Sequence, residues 1–212
     1  MSEKTLDYSG VVALAKKLLS RPARTFLAIA GAPGSGKSTI VERLKRDLEE
    51  DHPNQVEILP MDGFHFDDGL LHEMQRHPWK GAPDTFDVGG LSSTLKRLHD
   101  PNEGAVAVPV FDRALEISRG SARLIPQSAQ LILVEGKYLL LDRPPWSRLA
   151  PHFDVTLMID VPEHILRERL AERWENFGIS PSDIARKVDE NDIPNMRDVC
   201  SNSRAADFVL QQ

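Results

Sequence analysis

Apolar and polar positions fall into blocks whose period changes along the chain. Val11, Val12, Leu14, Ala15, Leu18 and Leu19 recur at helical spacing and predict a first helix ending near Arg21-Pro22. Phe26-Leu27-Ala28-Ile29-Ala30 is a continuous apolar run, the pattern of a buried strand. Ile40, Val41, Leu44 and Leu48 return to the helical period, and His52-Pro53-Asn54 interrupts it. Val56 to Leu59 predicts a second strand. Leu91, Leu95 and Leu98 mark a helix, and Val106 to Phe111 a strand. Ala114 to Ser118 and Ala122 to Ile125 flank Arg119-Gly120-Ser121, which predicts a hairpin turning at those three residues. Leu131-Ile132-Leu133-Val134 predicts a central strand, Pro144-Pro145-Trp146 an exposed loop, and Val155 to Ile159 another buried strand. Pro162 opens a helix with Ile165, Leu166 and Leu170 on its apolar side. Ser180-Pro181-Ser182-Asp183 starts a helix to about Val188, which Asn191-Asp192-Ile193-Pro194-Asn195 breaks. Ala206 to Leu210 closes the chain as a strand.

The sum is an α/β fold: a five-stranded parallel sheet flanked by helices, with a small β excursion near residues 106–126. No linker-like stretch divides the 212 residues, so a single domain over 1–212 is expected. Hydrophobic side chains make up 41%, enough for a substantial core.

One strand-to-helix junction carries the chemistry. Gly31-Ala32-Pro33-Gly34-Ser35-Gly36-Lys37-Ser38, followed by Thr39, fits G-x-x-x-x-G-K-[ST] between a predicted strand and a predicted helix. Glycines leave the loop amides open to a phosphate, and the helix N-terminus adds partial positive charge. Lys37 is placed to reach the outer phosphates, and the Ser38 hydroxyl to coordinate Mg²⁺. A glycine turn that merely connects two elements is the bland alternative, and the flanking elements count against it.

Ligands of parallel sheets lie beyond the carboxyl ends of the strands. Asp62 follows such an end, in Pro60-Met61-Asp62-Gly63-Phe64-His65. Its position allows a general base or a magnesium contact, and equally a turn aspartate capping local amides. His77 to Asp87 is irregular and rich in rings, which fits a pocket wall or a surface connection pinned by Trp79 and Phe86. Glu135 follows the central strand and suggests a second acid of the nucleotide site rather than a solvated turn. Arg169 and Arg173, four apart on one helix, share a face that could clamp a phosphoryl group or pair with Glu168 and Glu172 in solvent.

Composition narrows the partners. Twenty-six basic and 32 acidic side chains give a net charge of −6, which argues against a general nucleic-acid surface. The single Cys200 forms no intrachain disulfide and fits a reducing, cytoplasmic setting. Met1 to Ser9 is polar, without a signal-peptide core, and no apolar run approaches a membrane span. A GTPase-type switch is a rival class, since Asp87-Val88-Gly89-Gly90 fits D-x-x-G, but no N-K-x-D segment is present to read guanine.

The phosphate loop, Met61-Asp62-Gly63-Phe64-His65, Gly81-Ala82-Pro83-Asp84-Thr85-Phe86-Asp87, Pro109-Val110-Phe111-Asp112-Arg113 and Val134-Glu135-Gly136 occur in this order. With the segment from Arg173-Trp174 to Asn195, the series resembles the uridine kinase, phosphoribulokinase and bacterial pantothenate kinase group over about residues 20–210. The branch described as fructose-transport-system kinases is the most similar. The resemblance implies a P-loop NTPase fold and ATP-dependent, Mg²⁺-assisted phosphorylation of a hydroxyl on a small metabolite. A fructose-type sugar comes first. A nucleoside, a pantothenate-like acid and a non-catalytic ATP-binding role beside a sugar transporter are the alternatives. It further implies Asp62 as general base, with Lys37, Arg169 and Arg173 at the transferred group. Ser38, Asp62 and Glu135 would stand near the metal. His65, Asp87, Asp112, Arg113 and Glu135 would face the substrate, and Asn191 and Asn195 the nucleotide base. One departure stands out: Lys137 follows Glu135-Gly136 where the fructose-transport pattern has asparagine. A lysine there favours an anionic acceptor, or points to solvent.

Overall fold

The computed structural model describes residues 4–176 and 180–212. Residues 1–3 of the polar N-terminal stretch, and residues 177–179 of the tail that carries the family resemblance, lie outside the described residues. The elements run β1 (Lys4–Leu6), α1 (Tyr8–Leu19), β2 (Thr25–Gly31), α2 (Lys37–Glu49), β3 (Val56–Pro60), α3 (Asp68–Glu73) and α4 (Val88–His99). Then come β4 (Val106–Asp112), β5 (Ile117–Ile125), β6 (Leu131–Glu135), β7 (Val155–Asp160), α5 (Glu163–Asn176), α6 (Pro181–Lys187), α7 (Ile193–Asn202) and β8 (Phe208–Gln211).

The main sheet has six strands, all parallel, in the order β1-β8-β7-β2-β6-β3. Five were expected. The sixth is β1, three residues of an edge strand beside β8, too short and too polar to show a period. The apolar runs are buried on both faces as their composition requires. In β2, Leu27 and Ile29 join the core under α1 and α2, while Phe26, Ala28 and Ala30 join the core under α4. In β6, Leu131 and Leu133 face the first core, and Ile132 and Val134 the second. The central position of β2 therefore follows from its composition, and it puts the phosphate loop mid-sheet.

Three local expectations are corrected. The β excursion is a hairpin of β4 and β5, but Arg119-Gly120-Ser121 lies inside β5 and the turn falls between Asp112 and Ile117. Pro109 has no N–H to offer the ladder, and the register slips there, from Val108 opposite Arg123 to Val110 opposite Arg119. The glycine and Ser121, with φ of 53°, form this bulge. Secondly, Asn191 to Asn195 does not break the tail helix. A π-helical turn at Val188–Asp192 joins α6 to α7, with the Ile193 N–H donating to the Val188 carbonyl. The wider turn accommodates Pro194, which lacks the N–H that an α-turn would use. Thirdly, Trp146 is buried, 1% exposed, in a 3₁₀ turn at Trp146–His152 and packs against Tyr138 and Phe86.

Candidate active site

The phosphate loop closes tightly between β2 and α2. Gly34 and Gly36 have φ of 80° and 76°, a left-handed backbone that β-carbon-bearing residues rarely adopt. Gly36 is the N-cap of α2 and supplies no side chain to the helix's first amides, so these donors stay open for an anion. Gly31, Ala32 and Ser35 are the buried base of the loop; Pro33, Gly34, Gly36, Lys37, Ser38 and Thr39 line a cleft of about 840 Å³. The Lys37 ammonium folds over the loop and donates to the Ala32 carbonyl at 2.9 Å.

Asp62, from the 3₁₀ turn after β3, and Glu135, at the end of β6, face this cleft from adjacent parallel strands. The Ser38 hydroxyl donates to the Glu135 carboxylate at 3.3 Å. Burial pushes the Glu135 carboxyl up, and the nearby Asp62 charge adds to the rise. Burial would raise Asp62 too, but Lys137, Arg113 and Lys37 outweigh it and hold that carboxyl well below its ordinary range. Arg113 donates to Asp62 Oδ2 at 2.7 Å, while Oδ1 accepts no hydrogen bond from the described residues. Two facing acids and a hydroxyl are hard oxygen donors of the kind Mg²⁺ takes together with substrate phosphates. A cation between them would relieve the repulsion that raises Glu135. Among the described residues no three acidic, histidine or cysteine side chains cluster as a metal cage, so the phosphates would have to complete the shell.

Burial away from water at the cleft floor lowers the Lys37 pKa from 10.5 to about 8, against the pull of Glu135 and Asp62. Between about pH 8 and 10.5 the unfolded chain binds more protons at this residue than the folded one, so its contribution to stability rises with pH in that window. Phosphate oxygens beside Lys37 restore its proton. MgATP binding near pH 9 is therefore expected to take up a fraction of a proton approaching one, and near pH 6.5 none. Calorimetry in buffers of different ionisation enthalpy reads this, and equal heats at pH 9 would contradict it.

Arg169 and Arg173 on α5 line the same cleft opposite the acids, as their spacing suggests. Arg169 approaches the Gly34 carbonyl at 3.5 Å, and Arg173 lies 3.5 Å from the Asp192 carboxylate. The latter is oriented by Trp174, whose Nε1 donates to it at 2.7 Å. Asn191 and Asn195 are cleft residues of the π-turn and α7; Asn195 donates to Asn191, which donates to the Lys80 carbonyl at 3.1 Å.

The wall beyond Asp62 is built from the irregular segment 77–86. Buried groups pin it: Tyr138 donates to the Gly81 carbonyl at 2.8 Å, and Trp146 to that of Pro83 at 3.1 Å. Phe86 is buried as expected, but Trp79 is 42% exposed and lines the cleft instead. His65 packs, tilted, between the rings of Phe86 and Phe111, and its Nδ1 lies 2.7 Å from the Asp62 carbonyl. Burial lowers its pKa to about 4, so the ring is neutral at pH 7, donates from Nδ1 and leaves Nε2 as an acceptor. Lys137 lines the cleft as well, so it does not simply point to solvent.

No protein-family model matches the chain. Individual proteins do. The uncharacterized protein YggC of Escherichia coli is 35% identical over 189 residues, 89% of this chain and 78% of that protein. A Schizosaccharomyces pombe protein named "Putative uridine kinase C227.14" is 31% identical, over 97% of this chain and 91% of its own length. A crystal structure described as a "putative fructose transport system kinase" from Silicibacter sp. TM1040 superposes with a TM-score of 0.85 at 35% identity, covering 95% of this chain and 98% of that one. The chain is a P-loop kinase of the uridine kinase, pantothenate kinase and phosphoribulokinase group.

Two of the expected substrate residues of this kinase are engaged elsewhere. Asp87 is exposed and caps α4, accepting from the Gly90 N–H at 2.7 Å, so Asp87-Val88-Gly89-Gly90 is a helix start. Asp112 accepts from the amides of Ala114 and Leu115 at 3.1 and 3.2 Å and shapes the hairpin turn. Neither lines the cleft. Asp87→Ala is expected to cost about 1 kcal/mol of stability, seen in denaturant titration, and to leave the acceptor KM within about twofold. A tenfold rise in KM would return Asp87 to the substrate site. Sequence reasoning missed Lys80, which ties the wall to the hairpin. Its ammonium lies 2.5 Å from Asp68 Oδ1 and also donates to the Glu116 carbonyl. The only signal was a lysine between Pro78 and Gly81 in a ring-rich loop. Among the described residues no helix is long and apolar enough to cross a membrane.

Proposed function

We propose that this kinase uses ATP with Mg²⁺ to phosphorylate a hydroxyl of a small metabolite of the sugar type. The observation that carries the reading is the shared cleft. A phosphate loop with open helix amides and Lys37 faces Asp62, a carboxylate whose Oδ1 accepts no hydrogen bond from the described residues, at the end of a neighbouring strand. The similar Silicibacter protein, named for fructose transport, supports a sugar acceptor.

In the proposed reaction the loop amides and Lys37 hold the triphosphate, and Arg169 and Arg173 approach it from α5. Ser38 and Glu135, with Asp62 at the edge, would hold Mg²⁺, which supplies neutralisation of charge on the phosphate oxygens. Asp62 Oδ1 orients the acceptor hydroxyl and takes its proton as the oxygen attacks the γ-phosphorus. The bond from that phosphorus to the bridging oxygen breaks, and ADP leaves. Positioning and charge stabilisation supply most of the rate, and proton transfer a smaller share.

The test is an ATP-consumption screen across sugars, nucleosides and pantothenate-like acids, with Lys37→Ala protein as blank. A phosphorylated product from a sugar-type acceptor is expected. Preference for a nucleoside would move this chain to the reading that the fission-yeast relative's name suggests. ATP binding without a phosphorylated product from any class would leave a non-catalytic, transporter-linked role.

A further inference from the structure

The acceptor side of the cleft holds three cations, and two of them are spoken for. Arg113 is paired with Asp62, and Lys80 with Asp68 and the Glu116 carbonyl. Lys137 makes no hydrogen bond or ion pair with the described residues. Its ammonium rests over two rings, 5.2 Å from the centroid of Phe86 and 5.3 Å from that of Tyr138. It also stands close to Gly81, where a β-carbon would lie 3.4 Å from Nζ. A crowded ammonium with unused donors is costly, and the cost is offset when a ligand brings the counter-charge.

Its ring contacts place it on the acceptor wall, although Lys37 and Arg173 also feel its charge across the cleft. Gly81, Phe86 and Tyr138 belong to the wall that carries His65, while the cations around the phosphate loop are Lys37, Arg169 and Arg173. Asp62 is the anion that interacts with Lys137 most strongly, yet its Oδ2 is already taken by Arg113. A small molecule seated on this wall would meet the Asp62 carboxylate, the His65 ring and an ammonium that has no hydrogen bond or ion pair among the described residues. The first two suit hydroxyls, and the third suits an anion.

Resting on the kinase reading above, we propose that the acceptor is an anionic polyhydroxy compound whose carboxylate or phosphate is bound by Lys137. A neutral sugar would leave the ammonium unpaired under the bound ligand. This is the kind of mismatch that sites built for a polar group reject strongly.

The experiment compares three arms with MgATP: neutral sugars (fructose, ribose), sugar acids (gluconate, glycerate) and sugar phosphates (fructose 6-phosphate, ribose 5-phosphate). One anionic arm should exceed its neutral counterparts in kcat/KM by at least about 100-fold, and which arm does so separates carboxylate from phosphate. For that acceptor, Lys137→Met should raise KM by about 10–100-fold with the KM for ATP within about twofold, and Lys137→Arg should recover part of the loss. Turnover of neutral sugars as fast as their anionic counterparts would leave a kinase and overturn this inference. So would a Lys137→Met protein whose defect lies in the KM for ATP. No phosphorylated product from any arm would overturn this inference and the sugar-type reading of the acceptor together. The wild-type comparison decides between these outcomes even if a variant fails to fold.

Discussion

Lys37→Ala is expected to lower kcat/KM by at least about 10³-fold, or about 4 kcal/mol of transition-state stabilisation. The size follows from where the ammonium sits. Lys37 leaves the first turn of α2, lies against the Ala32 carbonyl of its own loop, and is the cation that the phosphate-loop motif itself delivers to the outer phosphates. A methyl group there leaves the loop amides intact, so part of the binding energy for the nucleotide survives while charge neutralisation in the transition state does not. The substitution removes a crowded ammonium whose pKa is already lowered to about 8, so the fold should not suffer. Steady-state kinetics beside a thermal melt checks both halves. A variant with more than a tenth of wild-type activity would remove Lys37 from the mechanism.

Asp62→Asn is expected to lower kcat by about 10²–10⁴-fold, the range of a lost general base, with the KM for ATP nearly kept. Asparagine preserves the shape and can still take the Arg113 hydrogen bond, which in the wild type reaches Oδ2 at 2.7 Å. What it lacks is the negative oxygen that orients and deprotonates the incoming hydroxyl. The variant also loses the charge that Lys137, Arg113 and Lys37 hold in place, so stability should fall as well, which a denaturant titration reads separately from kcat. Measured kcat with saturating acceptor distinguishes this from a binding defect. Wild-type turnover in the purified variant would leave Asp62 as no more than the turn residue that its place before Gly63 also allows.

The parts of this molecule that were legible in the sequence are those fixed by few neighbours. A phosphate loop is a local device, and Gly34 and Gly36 adopt the left-handed backbone that their lack of a β-carbon permits. Runs such as Leu131 to Val134 can only be strands sandwiched between layers, and they are. What was misread depended on distant partners. Gly120 resembles a turn until Pro109 is placed opposite it, when it becomes part of a bulge in a strand that continues. Pro194 resembles a helix stop, but a π-turn, wider than the α-turn it replaces, lets the chain carry Asn191 and Asn195 into the cleft on a continuous helix. Trp146 reads as exposed beside two prolines and is buried because Tyr138 and Phe86 close around it. Among the site residues, Asp62, His65, Arg113, Glu135, Arg169 and Arg173 converge on one cleft. Asp87 and Asp112 do not, because each has backbone amides within reach of its carboxylate that a helix start or a hairpin turn leaves open.

The central claim is that one cleft brings a triphosphate and an acceptor hydroxyl together across Lys37 and Asp62. A crystal structure with Mg²⁺ and a non-hydrolysable ATP analogue tests it most directly. The account predicts the β- and γ-phosphates on the amides of residues 34–39, within hydrogen-bond reach of Lys37, with Asp62 facing the terminal phosphorus across a space wide enough for one hydroxyl. Nucleotide bound elsewhere on the molecule, or bound here with Asp62 turned out of the cleft, would contradict it.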